Sequence, residues 1–246
     1  MTYNSQHNFE WKISQRKHTL GDAIEPPRPS LRVGVLISGS GSNLQALIDA
    51  IETSQLPGVE IALVVSNNAQ AQGVQRAFKH RLPTIYLPWG KIGGAQFTAD
   101  QRGGMSPDEK KLTSLLQLFQ VDLIVLAGWM RILSASFLEQ FPWQVINLHP
   151  ALLPDDGTGH IYTTQDGTQI PVFRGLHAVR QALQAGVKVT GSTVHYVTPE
   201  VDAGPVICRE ELAIEPADTE ESLHERLKQI EHRLIVAAVK ICQERA

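Results

Sequence analysis

The sequence predicts an α/β protein with a doubly wound, mostly parallel sheet, a partly antiparallel C-terminal edge and a long C-terminal helix. Three observations lead to this prediction. As far as residue 148, short apolar runs rich in Val, Ile and Leu alternate with helical patterns, which is typical of βαβ units. After residue 187, two runs alternate between apolar and polar residues, as strands with one exposed face do. The chain then closes with an amphipathic pattern over 219–244.

Five apolar runs are expected to form the buried parallel strands: RVGVLIS, EIALVVSN, TIYLP, DLIVLAGW and QVINL. Such runs suit strands that helices cover on both faces. Helical patterns lie between them, among them NLQALIDAI and SPDEKKLTSLLQLF. The latter has Ser106 as N-cap and Pro107 at the first helical position, both favoured at helix starts. The alternating runs KVTGSTVHYVT and PVICREELAI predict the antiparallel edge.

Composition places the chain among ordinary globular enzymes. Its 246 residues include 42% hydrophobic and 19% charged residues, and a net charge of -3 gives no reason to expect a nucleic-acid partner. Cys208 and Cys242 lie far apart without a metal-binding spacing, which favours a reducing compartment. No apolar run approaches the roughly 20 residues of a membrane span, and no secretory signal opens the chain. We therefore expect a cytoplasmic enzyme without a membrane partner.

The expected organisation is one domain with two additions. Residues 1–31 are polar and end in a proline cluster, which predicts a loosely ordered N-terminal extension. Residues 32–246 form the single domain, with a hairpin inserted at about 155–174. There Asp166 and Gly167 lie between strand-like flanks, which predicts a type I′ turn. A flap over a ligand site and a surface decoration are equally open interpretations of this insertion.

The first candidate site is the turn SGSGSN after the first strand. Gly39 and Gly41 allow a sharp turn, and Asn43 opens the next helix. Backbone N–H groups at a helix start bind anions, most often phosphate. The turn is neither a P-loop, because no Lys-Ser/Thr follows, nor a dinucleotide fingerprint, because Leu44 replaces the third glycine. An ordinary tight turn with Asn43 as N-cap is an equal alternative.

The second candidate site lies at the carboxyl end of QVINLH, the sheet edge where ligands bind in α/β proteins. Asn147 and His149 are two apart, so they point to the same side of a strand. The Asn amide can donate to a developing oxyanion, and His can supply a proton. Asp202 in VTPEVDAGP could orient His149 and raise its pKa. The alternatives are polar residues that satisfy loop backbone and an Asx turn.

The other histidines predict no metal site. His195 in STVHYV is interpreted as a hydrogen-bonded strand residue rather than a ligand. Together with His149, His160 and His177, it shows no recognised metal-binding spacing.

Six segments in order resemble the phosphoribosylglycinamide formyltransferase family of purine synthesis: ISGSGSNLQALIDAI, LAGWMRILS, INLHPALLP, GLHAVRQAL, GSTVHYVTPEVDAGPVI and IEHRLI. They span about residues 32–240, and together they are very specific. The resemblance implies the formyltransferase fold and transfer of the formyl group of 10-formyltetrahydrofolate to the glycinamide amine of phosphoribosylglycinamide. It implies small-molecule partners, no metal, and a monomer or homodimer.

The resemblance also implies residue roles. The catalytic trio would be Asn147, His149 and Asp202. The ribonucleotide would be held by Gly41, Ser42, Asn43 and Glu231. The folate pocket would be lined by Met130, Arg131, Ile132, Leu133, Thr198, Pro199, Glu200 and Val201.

Two departures from the family pattern limit this transfer of roles. One is the insertion at 155–174, where the family usually has only a few residues. The other is the glycine-rich stretch LPWGKIGGAQFTADQRGGMS, where the family's basic substrate contacts lie. Arg102 is a candidate replacement for one of those contacts, but its alignment is open.

Three rival functions are considered. Formyltetrahydrofolate deformylase shares the Asn, His and Asp arrangement but transfers formyl to water; it normally carries an N-terminal regulatory domain, for which 31 residues are too few, and it lacks a GSGSN loop. Methionyl-tRNA formyltransferase shares the core but needs a C-terminal RNA-binding domain and a basic surface. A nucleotide-sensing module without catalysis is the third.

Overall fold

The computed structural model describes residues 31–90 and 104–245. Its strands are β1 (Leu31–Ile37), β2 (Val59–Ser66), β3 (Thr84–Tyr86), β4 (Leu123–Leu126), β5 (Val145–His149), β6 (Ile161–Thr163), β7 (Gln169–Pro171), β8 (Val189–Tyr196) and β9 (Val206–Ala213). Its helices are α1 (Ser42–Glu52), α2 (Gln72–Lys79), α3 (Pro107–Leu118), α4 (Ala135–Leu138), α5 (Ala178–Gln184) and α6 (Glu220–Arg245).

Seven of these strands form the central sheet in the order β3-β2-β1-β4-β5-β8-β9. The first five in that order are parallel, whereas β8 and β9 are antiparallel to their neighbours. The predicted fold class, with its antiparallel edge and long C-terminal helix, is confirmed. The chain leaves β1 toward β2 on one side, and β4 lies on the other side. This reversal opens a crevice at the carboxyl ends of the strands.

Helices cover both faces of the sheet. Val33, Val35 and Ile37 of β1 belong to one buried cluster with residues of α1 and α6. Leu36 points the opposite way, into a second cluster with residues of α3 and α4. This alternation along one strand is what strand geometry requires when both faces are buried. The core therefore fixes the carboxyl end of β1 from two sides.

The two predicted helix starts turn out differently. At α3, Ser106 caps the helix as predicted: its hydroxyl accepts from the Glu109 N–H, and the Glu109 carboxylate accepts from the Ser106 N–H. At α1, the predicted N-cap Asn43 is wrong. The N-cap is Gly41, with φ 69 and no side-chain cap. An added Cβ on Gly41 would lie 2.4 Å from the Gly73 Cα, so both the backbone angle and the packing require glycine there.

Between β5 and α5, strands β6 and β7 pair as an antiparallel hairpin. Its turn is not type I′. The Gly167 N–H donates to the Thr164 carbonyl (2.9 Å), neither Gln165 nor Asp166 has positive φ, and Gly167 has φ 85. These are the features of a three-residue loop that ends in a glycine bulge. The Asp166 carboxylate stabilises it by accepting from the Thr168 N–H (3.0 Å).

Residues 1–30, 91–103 and 246 lie outside the described residues, and with them Arg102 and the predicted N-terminal extension. Because Leu31 already belongs to β1, that extension would end at residue 30. Among the helices that the structure describes, none combines the length and apolar character needed to cross a membrane.

Candidate active site

The second candidate site, at the carboxyl end of β5, is built from residues of β5, β8 and the turn after β8. Asn147 and His149 leave β5 on the same side, and the antiparallel register places His195 opposite Asn147. Asp202 lies in the turn between β8 and β9 with φ 50, a left-handed conformation that Asp tolerates better than most residues. His149, His195 and Asp202 are all buried. The predicted trio is therefore brought together, with a fourth side chain added.

Four groups surround the Asp202 carboxylate. One oxygen, Oδ2, accepts from the Gly175 N–H (2.8 Å) and lies 3.3 Å from His149 Nδ1. The other, Oδ1, accepts from Asn147 Nδ2 (3.2 Å) and lies 3.5 Å from His195 Nε2. Burial alone would raise the pKa of Asp202, but the hydrogen bond with His195, the charge of His149 and the Gly175 N–H outweigh it and lower that pKa to about 2. Asp202 is therefore a carboxylate at neutral pH.

His149 lies between two acceptors. Its Nε2 is 2.7 Å from the Phe173 carbonyl oxygen, and its Nδ1 faces Asp202. Only a protonated ring can donate to both. Burial nevertheless lowers the pKa of His149 below its ordinary value, although Asp202 and the Phe173 carbonyl act to raise it. Asp202 therefore acts on this pKa in the predicted direction, but desolvation is the larger effect and makes the net shift downward. A proton on either nitrogen of His149 faces an acceptor, but the lowered pKa makes the charged ring lose a proton readily.

His195 is the residue whose role the sequence analysis missed. Its Nδ1 lies 2.8 Å from the Tyr196 carbonyl, and its Nε2 lies 3.3 Å from Asn147 Nδ2. With a hydrogen on Nδ1 alone, as the carbonyl favours, Nε2 accepts from the Asn147 amide; with a second hydrogen on Nε2, the ring instead donates to Asp202 Oδ1, the bond that lowers the pKa of Asp202. His195 is a satisfied strand residue, as expected, but it also holds the Asn147 amide. Its position opposite Asn147 would have indicated this role, but that position is known only once the pairing of β5 with β8 is known.

The turn after β1 presents open backbone donors. The first hydrogen bond of helix α1 runs from the Gln45 N–H to the Gly41 carbonyl (3.0 Å). The N–H groups of Ser42 and Asn43 precede this bond and therefore have no acceptor within the helix. Gly39 and Ser40 are exposed. Such an end carries partial positive charge and suits an anion.

A basic side chain lies beside this turn. Arg76 of α2 donates from Nε to the Ser40 carbonyl (2.9 Å) and from Nη1 to Gln45 (3.4 Å). The sequence analysis did not single out Arg76, because only the fold brings α2 against the start of α1. Its charge adds to the positive character of the turn.

Next to this turn, α1 and α6 meet through Asn43 and Glu231. The Asn43 amide donates to the Glu231 carboxylate (3.3 Å). Burial raises the pKa of Glu231, opposed by Asn43 and Lys228. Asn43 Oδ1 is buried and has no hydrogen-bond partner among the residues that the structure describes. The residues to which the family resemblance assigns ribonucleotide binding thus lie close to Asn43 Oδ1.

The two segments assigned to folate differ in exposure. Met130, Ile132 and Val201 are large apolar side chains that are 56%, 59% and 48% exposed, while Arg131, Pro199 and Glu200 are exposed and Thr198 is half-buried. Leu133 is instead part of the core, where Val197 packs against the same cluster. The exposed apolar side chains suit a flat aromatic ligand. Leu133 can support such a pocket from beneath.

The two candidate sites lie at one edge of the sheet. The turn after β1 and the cluster after β5 are separated only by β4, which corresponds to about 10 Å between strand axes. The loop after β4 is tied to the first site, since the Met130 N–H donates to Ser38 Oγ (3.0 Å). An anion bound at β1 and a reacting group at Asn147 could therefore belong to one small molecule.

Comparisons with known proteins agree with this geometry. A family model described as formyl transferase matches residues 31–165 and 166–239. The phosphoribosylglycinamide formyltransferase of Escherichia coli (strain K12) is 35% identical over 204 residues, 83% of each chain. That of Dictyostelium discoideum is 38% identical over 86% of this chain and 98% of its own. This chain belongs to the phosphoribosylglycinamide formyltransferase family.

Solved structures support the same family. Glycinamide ribonucleotide transformylase 1 from Symbiobacterium toebii has a TM-score of 0.71 and 35% identity, covering 92% of this chain and 93% of that one. A formyltetrahydrofolate deformylase from Pseudomonas syringae pv. tomato str. DC3000 has a TM-score of 0.70 but 26% identity, and only 62% of that chain is covered. The family predicted from the sequence is confirmed.

The formyltransferase family also includes much longer relatives. The trifunctional purine biosynthetic protein adenosine-3 of Gallus gallus is 37% identical over 211 residues, 86% of this chain. The match spans only 18% of that protein's length. This chain thus corresponds to one part of such a multifunctional protein.

The segment predicted to be an insertion, 155–174, is fastened to the edge of the sheet. Tyr162 donates from its hydroxyl to Glu211 of β9 (2.9 Å), and the Gln165 N–H donates to the same carboxylate (2.9 Å). Arg209 of β9 pairs with Asp155 (2.5 Å). The hairpin tip is therefore anchored on β9 and does not project as a free flap. The end of the insertion contacts the candidate active site: the Phe173 carbonyl faces His149, and the N–H of the next glycine, Gly175, donates to Asp202.

Within the described ranges, 31–90 and 104–245, no group of three or more His, Cys, Asp or Glu side chains is arranged to hold a metal ion. The arrangement at the active site instead offers donors for an anion, donors for an oxyanion, and a histidine that can hold a proton.

Proposed function

We propose that this chain transfers the formyl group of 10-formyltetrahydrofolate to the glycinamide amine of phosphoribosylglycinamide, a step of purine biosynthesis. One observation carries the proposal: the anion-binding turn at Gly41 and the cluster of Asn147, His149 and Asp202 occupy one sheet edge, two strands apart. A substrate with a phosphate at one end and an amine at the other can engage both. Each half of the site then has a chemical task.

The amine substrate is anchored by its phosphate and sugar. The backbone N–H groups of Ser42 and Asn43 take the phosphate, since no backbone acceptor for them is found within residues 31–90 and 104–245. Asn43 Oδ1 and Glu231 lie next to that turn and offer acceptors for hydroxyl or amine donors. A ligand donor to Asn43 Oδ1 would remove the cost of a buried unpaired acceptor, roughly 1–3 kcal/mol.

The formyl donor is held on the other side of the cluster. Its pteridine would lie against the exposed apolar side chains of Met130, Ile132 and Val201. The backbone of 198–202 supplies polar groups at the same place. This position brings the formyl carbon next to Asn147 and His149.

In the reaction, the amine nitrogen bonds to the formyl carbon and the bond from that carbon to the folate nitrogen breaks. Negative charge develops on the formyl oxygen. Asn147 and protonated His149 can donate there once each turns one N–H from its present acceptor, which is His195 Nε2 for Asn147 and the Phe173 carbonyl for His149; one such donor contributes about 3 to 4 kcal/mol. The amine loses a proton and the folate nitrogen gains one. Since burial lowers the pKa of His149, this residue can release its proton and take up another during the transfer.

The role of Asp202 follows from its charge. With a pKa of about 2 and four groups around its carboxylate, Asp202 is a weak base. It is better suited to hold the Asn147 and His149 side chains in place than to accept the amine proton itself. An ordered water that Asp202 orients could still relay that proton.

Formyl transfer to water, the deformylase reaction, is the main alternative. A hydrolase gains nothing from an anion anchor across the cleft. An anchored amine also competes strongly with water, because the effective molarity of a well-oriented reactant can reach roughly 10⁵ M or more. The test is the rate of tetrahydrofolate formation by the purified protein with and without phosphoribosylglycinamide. We expect strong dependence on the amine; an unchanged rate would favour the deformylase.

Several finer predictions stay as proposals: a cytoplasmic location, a monomeric or homodimeric state, and residues 32–246 as a single domain. Support for the last comes from the family match, which covers 31–239.

A further inference from the structure

Both ends of the inserted segment lie against the turn that carries Asp202. At its start, the Asp155 carbonyl accepts from the Val206 N–H (3.0 Å). Gly157 packs so closely there that an added Cβ would lie 2.2 Å from the Gly204 carbonyl oxygen. The Asp202 turn is therefore enclosed by the base of the insertion.

One side chain joins these parts. Arg174, at the end of the insertion, donates from Nε to the Asp202 carbonyl (2.9 Å). Its Nη2 donates to the carbonyls of Gly157 (2.6 Å) and Gly159 (2.8 Å). Three backbone carbonyls from two segments thus share one planar guanidinium, whose fixed fork suits several acceptors at once.

We propose that Arg174 is a positioning residue for formyl transfer, an inference that rests on the proposed function. Its guanidinium holds the Asp202 turn against the insertion, and the adjacent Gly175 N–H holds the Asp202 carboxylate. Asp202 thereby keeps its left-handed φ of 50 and its place 3.3 Å from His149. The insertion serves the active site through its base, not through its hairpin tip.

Charge and geometry must be separated in a test of Arg174. Three side chains affect the pKa of His149 besides its burial and the Phe173 carbonyl: Asp202 raises it, whereas His195 and Arg174 lower it. Arg174→Lys keeps the positive charge but loses the planar fork. A defect in this variant therefore reports the hydrogen-bond geometry.

The matched control is Arg209→Gln. Arg209 fastens the insertion to β9 through Asp155 and Tyr162. In the described part of the chain its side chain also donates to the Leu153 carbonyl and forms no hydrogen bond or ion pair with the Asp202 turn. If the insertion mattered only as a folded unit, loosening it at Arg209 would have the same effect as changing Arg174.

Two measurements on the full chain test the proposal. In Arg174→Lys we expect kcat to fall roughly 10- to 100-fold, with little change in KM for either substrate, because a misplaced catalytic group costs about that much. We also expect amide hydrogen exchange at Gly175 to become about tenfold faster, the equivalent of one lost hydrogen bond to a charged group. Arg209→Gln should keep kcat within about twofold of wild type and leave Gly175 exchange unchanged.

Wild-type kcat in Arg174→Lys, unchanged Gly175 exchange, or equal losses in both variants would each overturn the role of Arg174. If the wild-type chain formylated no amine, the proposed function would fail. The exchange measurement would then still decide whether Arg174 holds the Asp202 turn.

Discussion

The two halves of the proposed active site differ in how their polar groups are satisfied. Around Asp202, the carboxylate meets four neighbours, and both nitrogens of His149 face oxygens. Around Asn43, the start of α1 presents open N–H groups, and Asn43 Oδ1 is buried without a partner in the described part of the chain. The catalytic half is thus assembled in advance, whereas the ribonucleotide half is completed by its ligand.

This difference follows from what each half must do. A group that stabilises a transition state gains from being held in place before the substrate arrives, because the reaction then requires only the exchange of a hydrogen-bond acceptor and not a search by the side chain. A group that recognises a ligand gains from being unsatisfied, because the ligand supplies the missing hydrogen bonds. The comparison predicts that changes near Asp202 lower kcat and that changes near Asn43 raise KM.

The largest effect is expected from the side chains that face the formyl oxygen. Asn147→Ala or His149→Ala should lower kcat by about 10²- to 10³-fold, with little change in folate affinity. Steady-state kinetics and calorimetric titration of the folate check both parts. Near wild-type turnover in both variants would remove these residues from the catalytic step.

The second effect concerns the phosphate. Without it, the glycinamide riboside should bind about 100-fold more weakly, since hydrogen bonds to a charged group contribute about 1.5–3 kcal/mol each. Calorimetry with the two substrates measures this directly. Equal affinities would show that the start of α1 holds no phosphate.

Glycine substitutions sharpen the assignment of that turn. Any substitution at Gly41 would disrupt packing as well as the anion site, because an added Cβ would lie 2.4 Å from Gly73 Cα. Gly39 has open space around an added Cβ. We therefore expect Gly39→Ala to fold normally and Gly41→Ala to be destabilised by about 1–3 kcal/mol, as thermal unfolding would show.

Asp202 should also contribute to stability, in a pH-dependent way. Its pKa of about 2 in the folded chain lies below the ordinary value of 3.8, so its contribution, on the order of 2 kcal/mol, is fully present above pH 4 and is lost as the pH falls toward 2. Urea unfolding of wild type and Asp202→Asn at several pH values measures the difference. A difference that stays constant between pH 6 and pH 3 would contradict the low pKa.

The smallest effect is expected at Glu231. Glu231→Gln keeps the shape of the side chain but removes its charge, and KM for the ribonucleotide should rise up to about tenfold with kcat nearly unchanged. A fall in kcat alone would show that Glu231 acts in catalysis, and it would contradict the prediction that changes near Asn43 raise KM.

The sequence predicted the sheet well because buried strands are apolar on both faces and βαβ order limits their connections. The sequence also predicted that Asn147 and His149 lie at the end of a strand and that Asp202 lies in a turn beside a strand, because the strands themselves are recognisable. The hairpin turn was predicted as the wrong type because Asp-Gly fits two turns, and a single extra loop residue decides between them.

The rest depends on contacts between distant segments. His195 reaches Asn147 only through the pairing of β5 with β8. The pKa of His149 depends on how deeply it is buried, and the role of Arg174 depends on three carbonyls in two segments. None of these has a signature in a local stretch of sequence.

The most direct test of the central claim follows the formyl group itself. With isotopically labelled formyl on the donor and saturating phosphoribosylglycinamide, a single turnover should place nearly all of the label on the glycinamide amine, because an anchored amine outcompetes water. Stoichiometric label in formate, with none on the amine, would contradict the account and identify a hydrolase.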